Sequence, residues 1–295
     1  MIYVIMGPTA SGKSDAAKSI AEFFDAYIIN ADAFQIYKDM NIGTNKISEK
    51  DEEYSRYKLL SYVSPDKNYS VKQYQDDFRK IFFDLYNQNK NIVIVGGTGL
   101  YIKASLYDYE FKEENNEEID EDLINLSNHE LHEILQDLDF LESQKIHENN
   151  RKRVLRAIMM IRRNKISKSE SIARQEHKLI IPEEDIKFLY IKPDRALLYE
   201  RINSRVDLMV ANGLLEEVKG LLEKYELSLT ARAGIGYKEI ISYLNNEIGY
   251  EEAIELIKKR TRNYAKRQDT FFLHQFKNVH IYSSKEELVQ EIIEK

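Results

Sequence analysis

Eight residues near the start, GPTASGKS at positions 7–14, constrain this chain more than any other stretch. Gly7 and Gly12 bracket Pro8, Thr9, Ala10 and Ser11, and Lys13 and Ser14 follow. This is the G-x-x-x-x-G-K-[ST] spacing in which backbone N–H groups wrap phosphate oxygens. Such a loop works between a strand and a helix whose N-terminus meets the anion. Ile2, Val4 and Ile5 supply the apolar strand, and DAAKSIAEFF (15–24) has helix-like apolar spacing. The motif gives Lys13 the part of a point charge on the terminal phosphate and turns the Ser14 hydroxyl toward a Mg²⁺ ion. It does not say whose phosphate is held, or whether that phosphate is transferred or discarded.

The rest of the N-terminal third continues as α/β. AYIIN (26–30) reads as a strand ending just before Asp32, VKQYQDDFRKIFFDLYNQ (71–88) has helical period, and NIVIVGG (91–97) is an apolar strand entering a second glycine-rich turn, GGTG. The expected fold class is therefore α/β, a P-loop NTPase-like parallel sheet flanked by helices, with its ligand crevice at the carboxyl ends of the strands. Gly7 to Ser14, Asp32 to Gln35 and Gly96 to Gly99 should converge on one edge. Residues 111–182 read as an all-helical insertion, with patterns such as NHELHEILQDL and RVLRAIMMIRR. The core is expected in residues 1–110 and 183–295. It resumes with a strand in DIKFLYIK (185–192), long helices in 195–225 and 251–272, and a last strand in NVHIYSS (278–284).

Charge is unevenly spread. The net charge of −7 argues against nucleic acid if averaged, yet the chain has two basic blocks. After an acidic run from Glu110 to Glu142, residues 151–178 carry ten Lys and Arg against Glu170 and Glu176, and Lys258 to Arg267 (KKRTRNYAKR) contains no acid. Either block alone could be a solvated helix face; together, beside a phosphate loop, they point to a phosphate backbone as partner. In the second block Lys258, Arg262 and Lys266 fall at i, i+4 and i+8, which predicts one basic face and a separate packing face. The chain has no cysteine, which excludes disulfides, thiolate nucleophiles and cysteine-ligated zinc. No apolar run approaches a membrane span and the start lacks a basic, apolar leader, so a cytoplasmic protein is expected.

Asp32 and Gln35, in NADAFQIY (30–37), follow a strand beside the phosphate loop. An acid there can hold Mg²⁺ through water or act as a general base, and the Gln35 amide can match a base edge. On residues alone, a small-molecule kinase remains open, as does an RNA-binding protein with a purely structural phosphate loop.

The ordered set GPTASGKS, NADAFQIY with IGTNK (42–46), VGGTGLY (95–101), IHENNRKRVLRA (146–157), LYERINSRVDLM (198–209) with GLLEEV (213–218), GIGYKE (234–239) and TRNYAKRQDTFF (261–272) resembles the tRNA dimethylallyltransferases over roughly residues 1 to 276. The resemblance implies that the loop holds the diphosphate of dimethylallyl diphosphate as a leaving group, with Mg²⁺ as cofactor and the anticodon stem-loop of tRNA as partner. It implies an enzyme that prenylates N6 of adenosine 37; no obligate protein partner is evident in the sequence, so a monomer is expected. By the same resemblance Asp32 is the base on N6, Gln35 a base-edge contact in the segment Asp32, Ala33, Phe34, Gln35, and Arg205 a diphosphate contact. Thr98 then lies between phosphates and base. The implied tRNA contacts are Lys152, Arg153, Val154, Leu155 and Arg156 in the insertion, Gly234, Tyr237 and Lys238 around GIGYK, and Lys266, Arg267 and Gln268 near the end. Lys258 and Arg262 join them through the basic stripe. The chain departs from the family at Ala33 (usually serine), Glu148 (proline), Phe271 (tryptophan) and Leu273 (arginine), and lacks an arginine about twenty residues beyond GGTG. An adenylate isopentenyltransferase, acting on free nucleotide, would need Asp32 and the loop but not the 258–267 helix.

Overall fold

The computed structural model describes residues 1–109, 111, 120–164 and 178–294, and separates into two units: residues 1–109 with 179–295, and residues 110–178. The larger unit is built on six strands, β1 (Ile2–Met6), β2 (Tyr27–Asn30), β3 (Tyr57–Lys58), β4 (Ile92–Gly96), β5 (Ile186–Ile191) and β6 (Val279–Tyr282). They form one sheet in the order β3-β2-β4-β1-β5-β6, and every pairing is parallel.

Strand alternation explains why both faces are covered. Ile2, Val4, Met6, Ile92, Ile94, Phe188 and Tyr190 point to one face, where they join a cluster with Tyr74, Phe78 and Phe82. Tyr3, Ile5, Val93, Val95, Leu189 and Ile191 point to the other, against Ala16, Ala17, Ile20 and Ala21 of helix α1 (Lys13–Phe23). A parallel sheet buried on both faces reads as continuous apolar runs, which is why β1 and β4 are legible as such. Helix α2 (Val71–Asn87) starts at a capping box in which Ser70 and Gln73 satisfy each other's backbone N–H, and its Tyr74, Phe78 and Phe82 recur every fourth residue along the buried stripe. Helix α3 (Gly99–Leu106) follows β4 directly.

The apolar stretch 195–225 is two helices, Arg195–Ala211 and Leu214–Lys224. The break is at Gly213, whose φ of +95° is a left-handed turn that a side chain would resist. The Tyr250–Gln275 helix is unbroken and leads into β6.

In the smaller unit, helices Glu121–Ile124, Asn128–Leu138, Phe140–Ser143 and Arg151–Asn164 enclose their own core of Leu123, Leu131, Leu135, Ile146, Val154, Ile158 and Ile161. Two of its arginines are spent internally. Arg151 donates to the carbonyls of Leu123, Ile124 and Leu126, and Arg162 binds the carboxylates of Asp120 and Asp122. The acidic run at 112–119 and the basic residues Lys165, Lys168 and Arg174 lie outside the described residues. Among the described residues no helix is long and apolar enough to cross a membrane.

Candidate active site

β1, β2 and β4 run parallel, so the segments that follow them emerge on the same edge: the phosphate loop after Met6, Asp32 after Asn30, and Gly97 with Thr98 after Gly96. The loop and the first turn of α1 border a cleft of about 470 Å³, lined also by Asn45, Arg201, Arg205, Lys285 and Glu286. A larger surface concavity, about 610 Å³, lies among Glu22, Asp25, Tyr27, Arg56 and Lys90. Tyr27 begins β2 and Lys90 precedes β4, so that concavity faces the opposite edge of the sheet, where neither the loop nor Asp32 reaches.

No side chain among the described residues caps the N-terminus of α1, which leaves its first N–H groups to an anion. Lys13 donates one hydrogen bond to the Pro8 carbonyl at 3.1 Å. Lys13 keeps some exposure, yet protein closely surrounds its ammonium. Burial, with the Arg205 charge adding to it and the Asp32 charge opposing it, lowers its pKa to about 8. Arg205 donates to the Thr9 hydroxyl at 3.3 Å and to the Thr44 carbonyl at 3.4 Å, while its Nε is buried with no partner. Burial lowers the Arg205 pKa and the Asp32 charge works against that. The Ser11 hydroxyl is likewise buried and unpartnered. Polar groups in this state at a phosphate loop are ones that a phosphate oxygen satisfies.

Asp32 is held by its own turn. Its Oδ1 accepts from the N–H groups of Phe34 (2.9 Å) and Gln35 (3.3 Å), and its own N–H donates to Asn30 Oδ1. Oδ2 lies toward the GGTG turn, 3.9 Å from where a Cβ on Gly97 would stand. Thr98 fastens that turn to Asp32: its N–H donates to the Ala31 carbonyl (3.1 Å) and its Oγ1 accepts from the Ala33 N–H (3.0 Å). Gln35 Nε2 donates to the Thr44 carbonyl at 3.0 Å, so Gln35 and Arg205 share one carbonyl. The loop that carries it is gripped by Glu217, whose carboxylate accepts from the N–H groups of Asn41 (2.9 Å), Ile42 (2.7 Å) and Gly43 (3.1 Å) and from the Tyr237 hydroxyl (2.7 Å).

Gln268, almost fully buried, bridges the two loops. Its Oε1 accepts from the Thr9 N–H at 2.9 Å and its Nε2 donates to the Gly97 carbonyl at 2.8 Å. The Tyr264 hydroxyl also donates to that carbonyl, at 3.3 Å, and burial, helped by the Asp32 charge, pushes its pKa up to about 12.

A family model described as IPP transferase matches residues 35–275. The chain belongs to the IPP transferase family. It is 40% identical to a tRNA dimethylallyltransferase of Acetivibrio thermocellus over 277 residues, covering 92% of this chain and 88% of that one. A second relative of the same name, from Clostridioides difficile, is 38% identical over 281 residues, with 92% and 88% covered. Among solved structures, a tRNA isopentenylpyrophosphate transferase of Staphylococcus epidermidis superposes with a TM-score of 0.70 at 36% identity, over 99% of this chain and 96% of that one. A eukaryotic dimethylallyltransferase acting on tRNA superposes with a TM-score of 0.80 at 26% identity, over 99% and 77%.

The other residues singled out in this IPP transferase family member separate by exposure. Lys152, Arg153, Arg156, Lys266 and Arg267 are exposed and Lys238 is half-exposed, whereas Val154 and Leu155 are buried in the helical unit's core. Gly234 and Tyr237 are buried as well: the Tyr237 hydroxyl is committed to Glu217, and Gly234 lies under the Phe34 ring. The predicted basic face also needs correction. Lys258 pairs with Asp207 at 2.8 Å and Arg262 donates to Asn203 at 2.6 Å, so that stripe lies against the Arg195–Ala211 helix, and even its exposed end at Lys266 sits over the Tyr199 ring of that helix, 6.0 Å from its centre. Glu217, Thr44, Tyr264, Arg201 and Lys285 were not anticipated. Thr44 and Glu217 lie within IGTNK and GLLEEV, and Arg201 is one helical turn before Arg205. Lys285 lies beyond every motif, and only the tertiary fold brings it to the cleft.

Proposed function

We propose that the protein transfers a dimethylallyl group from dimethylallyl diphosphate to N6 of adenosine 37 in tRNAs that read codons beginning with U, releasing diphosphate. The observation that carries this reading is the convergence of a phosphate cradle and a carboxylate: Lys13, Arg205 and Asp32 feel one another's charge, at one sheet edge, in an IPP transferase. The donor's C1–O bond breaks as the N6–C1 bond forms. Lys13, Arg205 and the uncapped N–H groups of α1 stabilise the charge developing on the departing diphosphate. The adenine amine is a weak nucleophile because its lone pair is delocalised into the ring, so Asp32 takes its proton as the bond forms. Thr98 keeps the Asp32 turn in register, and Gln35 meets the base edge.

Among the described residues no three His, Cys, Asp or Glu cluster as a metal cage. The exposed Ser14 beside the cleft suits Mg²⁺, which keeps several waters and takes phosphate oxygens as ligands, and which would supply further neutralisation of the leaving group. Lys152, Arg153 and Arg156 of the helical unit, with Lys238, Lys266 and Arg267, hold RNA phosphates while the target base is swung out of its loop. The protein works as a monomer in the cytoplasm.

Unmodified tRNA incubated with the protein, Mg²⁺ and dimethylallyl diphosphate should yield an adenosine heavier by one C5H8 unit in nucleoside mass analysis, with AMP left unchanged. Prenylated AMP would move the assignment to free nucleotide. ATP consumed on a small acceptor, without prenylation, would replace it with a kinase.

A further inference from the structure

The Gln268 amide is placed where neither half of the proposed chemistry needs a ligand, yet both halves meet on it. Its Oε1 accepts from the Thr9 N–H in the phosphate loop, and its Nε2 donates to the Gly97 carbonyl in the turn that leads into Thr98. A Cβ at residue 97 would stand 2.3 Å from Nε2 and push the amide off the carbonyl. A neutral amide is suited to this bridge. A carboxylate offers no donor, an ammonium offers no acceptor, and an apolar side chain would leave the Thr9 N–H unpaired and the Gly97 carbonyl with only the longer Tyr264 bond. Beyond Gly97 the bonds continue: Thr98 holds Ala31 and Ala33, the two neighbours of Asp32.

We propose that Gln268 is a positioning residue that fixes the spacing between the loop holding the leaving group and the turn holding the base. This role rests on the transferase reading. Through Gln268 the donor carbon and the acceptor amine are held in line; without it the diphosphate can still leave, but water competes with N6. In that side reaction the allylic C1–O bond breaks, the water oxygen bonds to C1, the water proton goes to solvent, and a C5 alcohol accompanies diphosphate.

The test compares prenyl groups gained by tRNA with diphosphate released, in wild type, Gln268→Glu and Gln268→Met. Wild type should give one per one. In Gln268→Met, similar in reach but without either hydrogen-bonding group, transfer should fall by about 10²-fold, as an ångström-scale misplacement does, and diphosphate release by much less. Gln268→Glu keeps the acceptor for Thr9 but sets a carboxylate against the Gly97 carbonyl. It should be uncoupled at about pH 8 and regain coupling toward about pH 6 as the buried carboxyl takes up a proton and becomes a donor. A loss of melting temperature with one-to-one stoichiometry at every pH would reduce Gln268 to a structural residue and overturn the proposal. Hydrogen exchange reads the bridge without any tRNA chemistry. The Thr9 and Ala33 amides should both exchange faster in Gln268→Met, and an unchanged Ala33 amide there would overturn the coupling even if wild type transferred no prenyl group. Failure of wild type alone to prenylate tRNA would instead count against the transferase reading.

Discussion

Titrating Lys13 should weaken donor binding within an accessible pH range. Its pKa lies near 8 rather than 10.5, chiefly through burial and next through the Arg205 charge. If the diphosphate needs the ammonium, the apparent Kd is the intrinsic value divided by the protonated fraction. The penalty is about 1.1-fold at pH 7, about twofold at pH 8 and about tenfold at pH 9, the last equal to about 1.4 kcal/mol. In the free protein the sign is opposite. The folded-state pKa is below the unfolded one, so between about pH 8 and 10.5 the unfolded chain binds more protons and stability rises with pH. The contribution is fully present above the unfolded pKa and is lost as pH falls through the folded pKa, at most about 3 kcal/mol before solvent screening of a partly exposed group reduces it. Calorimetric titration with dimethylallyl diphosphate at pH 7, 8 and 9, in buffers of different ionisation enthalpy, measures both the Kd slope and the proton taken up; the ligand's last phosphate proton is gone by then. Lys46, whose pKa burial also lowers to about 8, is the control, because its ammonium is committed to the Tyr37 carbonyl. Lys46→Met should keep the slope and Lys13→Met should abolish it. A flat Kd from pH 7 to 9, or an undiminished slope in Lys13→Met, would refute the reasoning.

Asp32→Asn keeps an oxygen for the Phe34 and Gln35 N–H groups but loses the base, so single-turnover prenylation should slow by about 10²–10⁴-fold while the tRNA Kd from filter binding stays within about twofold. An equal loss of binding would remove Asp32 from that role. Glu217→Ala strips the acceptor from three backbone N–H groups and the Tyr237 hydroxyl. Urea unfolding should show a loss of about 2–4 kcal/mol, and a loss below about 1 kcal/mol would mean water replaces the carboxylate freely. Replacing Lys266 and Arg267 together by Gln should lower the slope of log Kd against log salt for tRNA by about 1 to 2, and an unchanged slope would place the RNA elsewhere.

The sheet edge was legible because each of its three loops carries a short local signature. Glycine spacing marks 7–14, a polar residue after an apolar run marks Asp32, and a glycine pair marks 96–97; parallel topology then forces the three together. Arg205 was legible only through the ordered motifs, since nothing local distinguishes it from a helix-surface cation. β3, two residues long, is too short for a period to register.

The basic stripe shows what periodicity leaves open. Spacing at i, i+4 and i+8 puts Lys258, Arg262 and Lys266 on one face but does not say what that face meets. The Arg195–Ala211 helix answers with its own i, i+4 pair, Asn203 and Asp207, in antiparallel order: Asp207 takes Lys258 and Asn203 takes Arg262. The complementarity is visible in the two sequences only once the helices are known to be neighbours. Arg151 and Arg162 spend their charge in the same way within the helical unit. Counting cations in a block therefore overstates what an RNA can use. Gln268 is the converse case. It lies directly after the exposed pair Lys266 and Arg267, and a reading by segment assigns it to the RNA with them. The rotation of about 100° per residue carries it to the buried side, where its amide meets Thr9 and Gly97. RNA phosphates gripped by Arg267 would thus lie one residue from the bridge between the donor loop and the acceptor turn, so contact with the correct substrate and alignment of the reacting groups would act on the same turn of one helix.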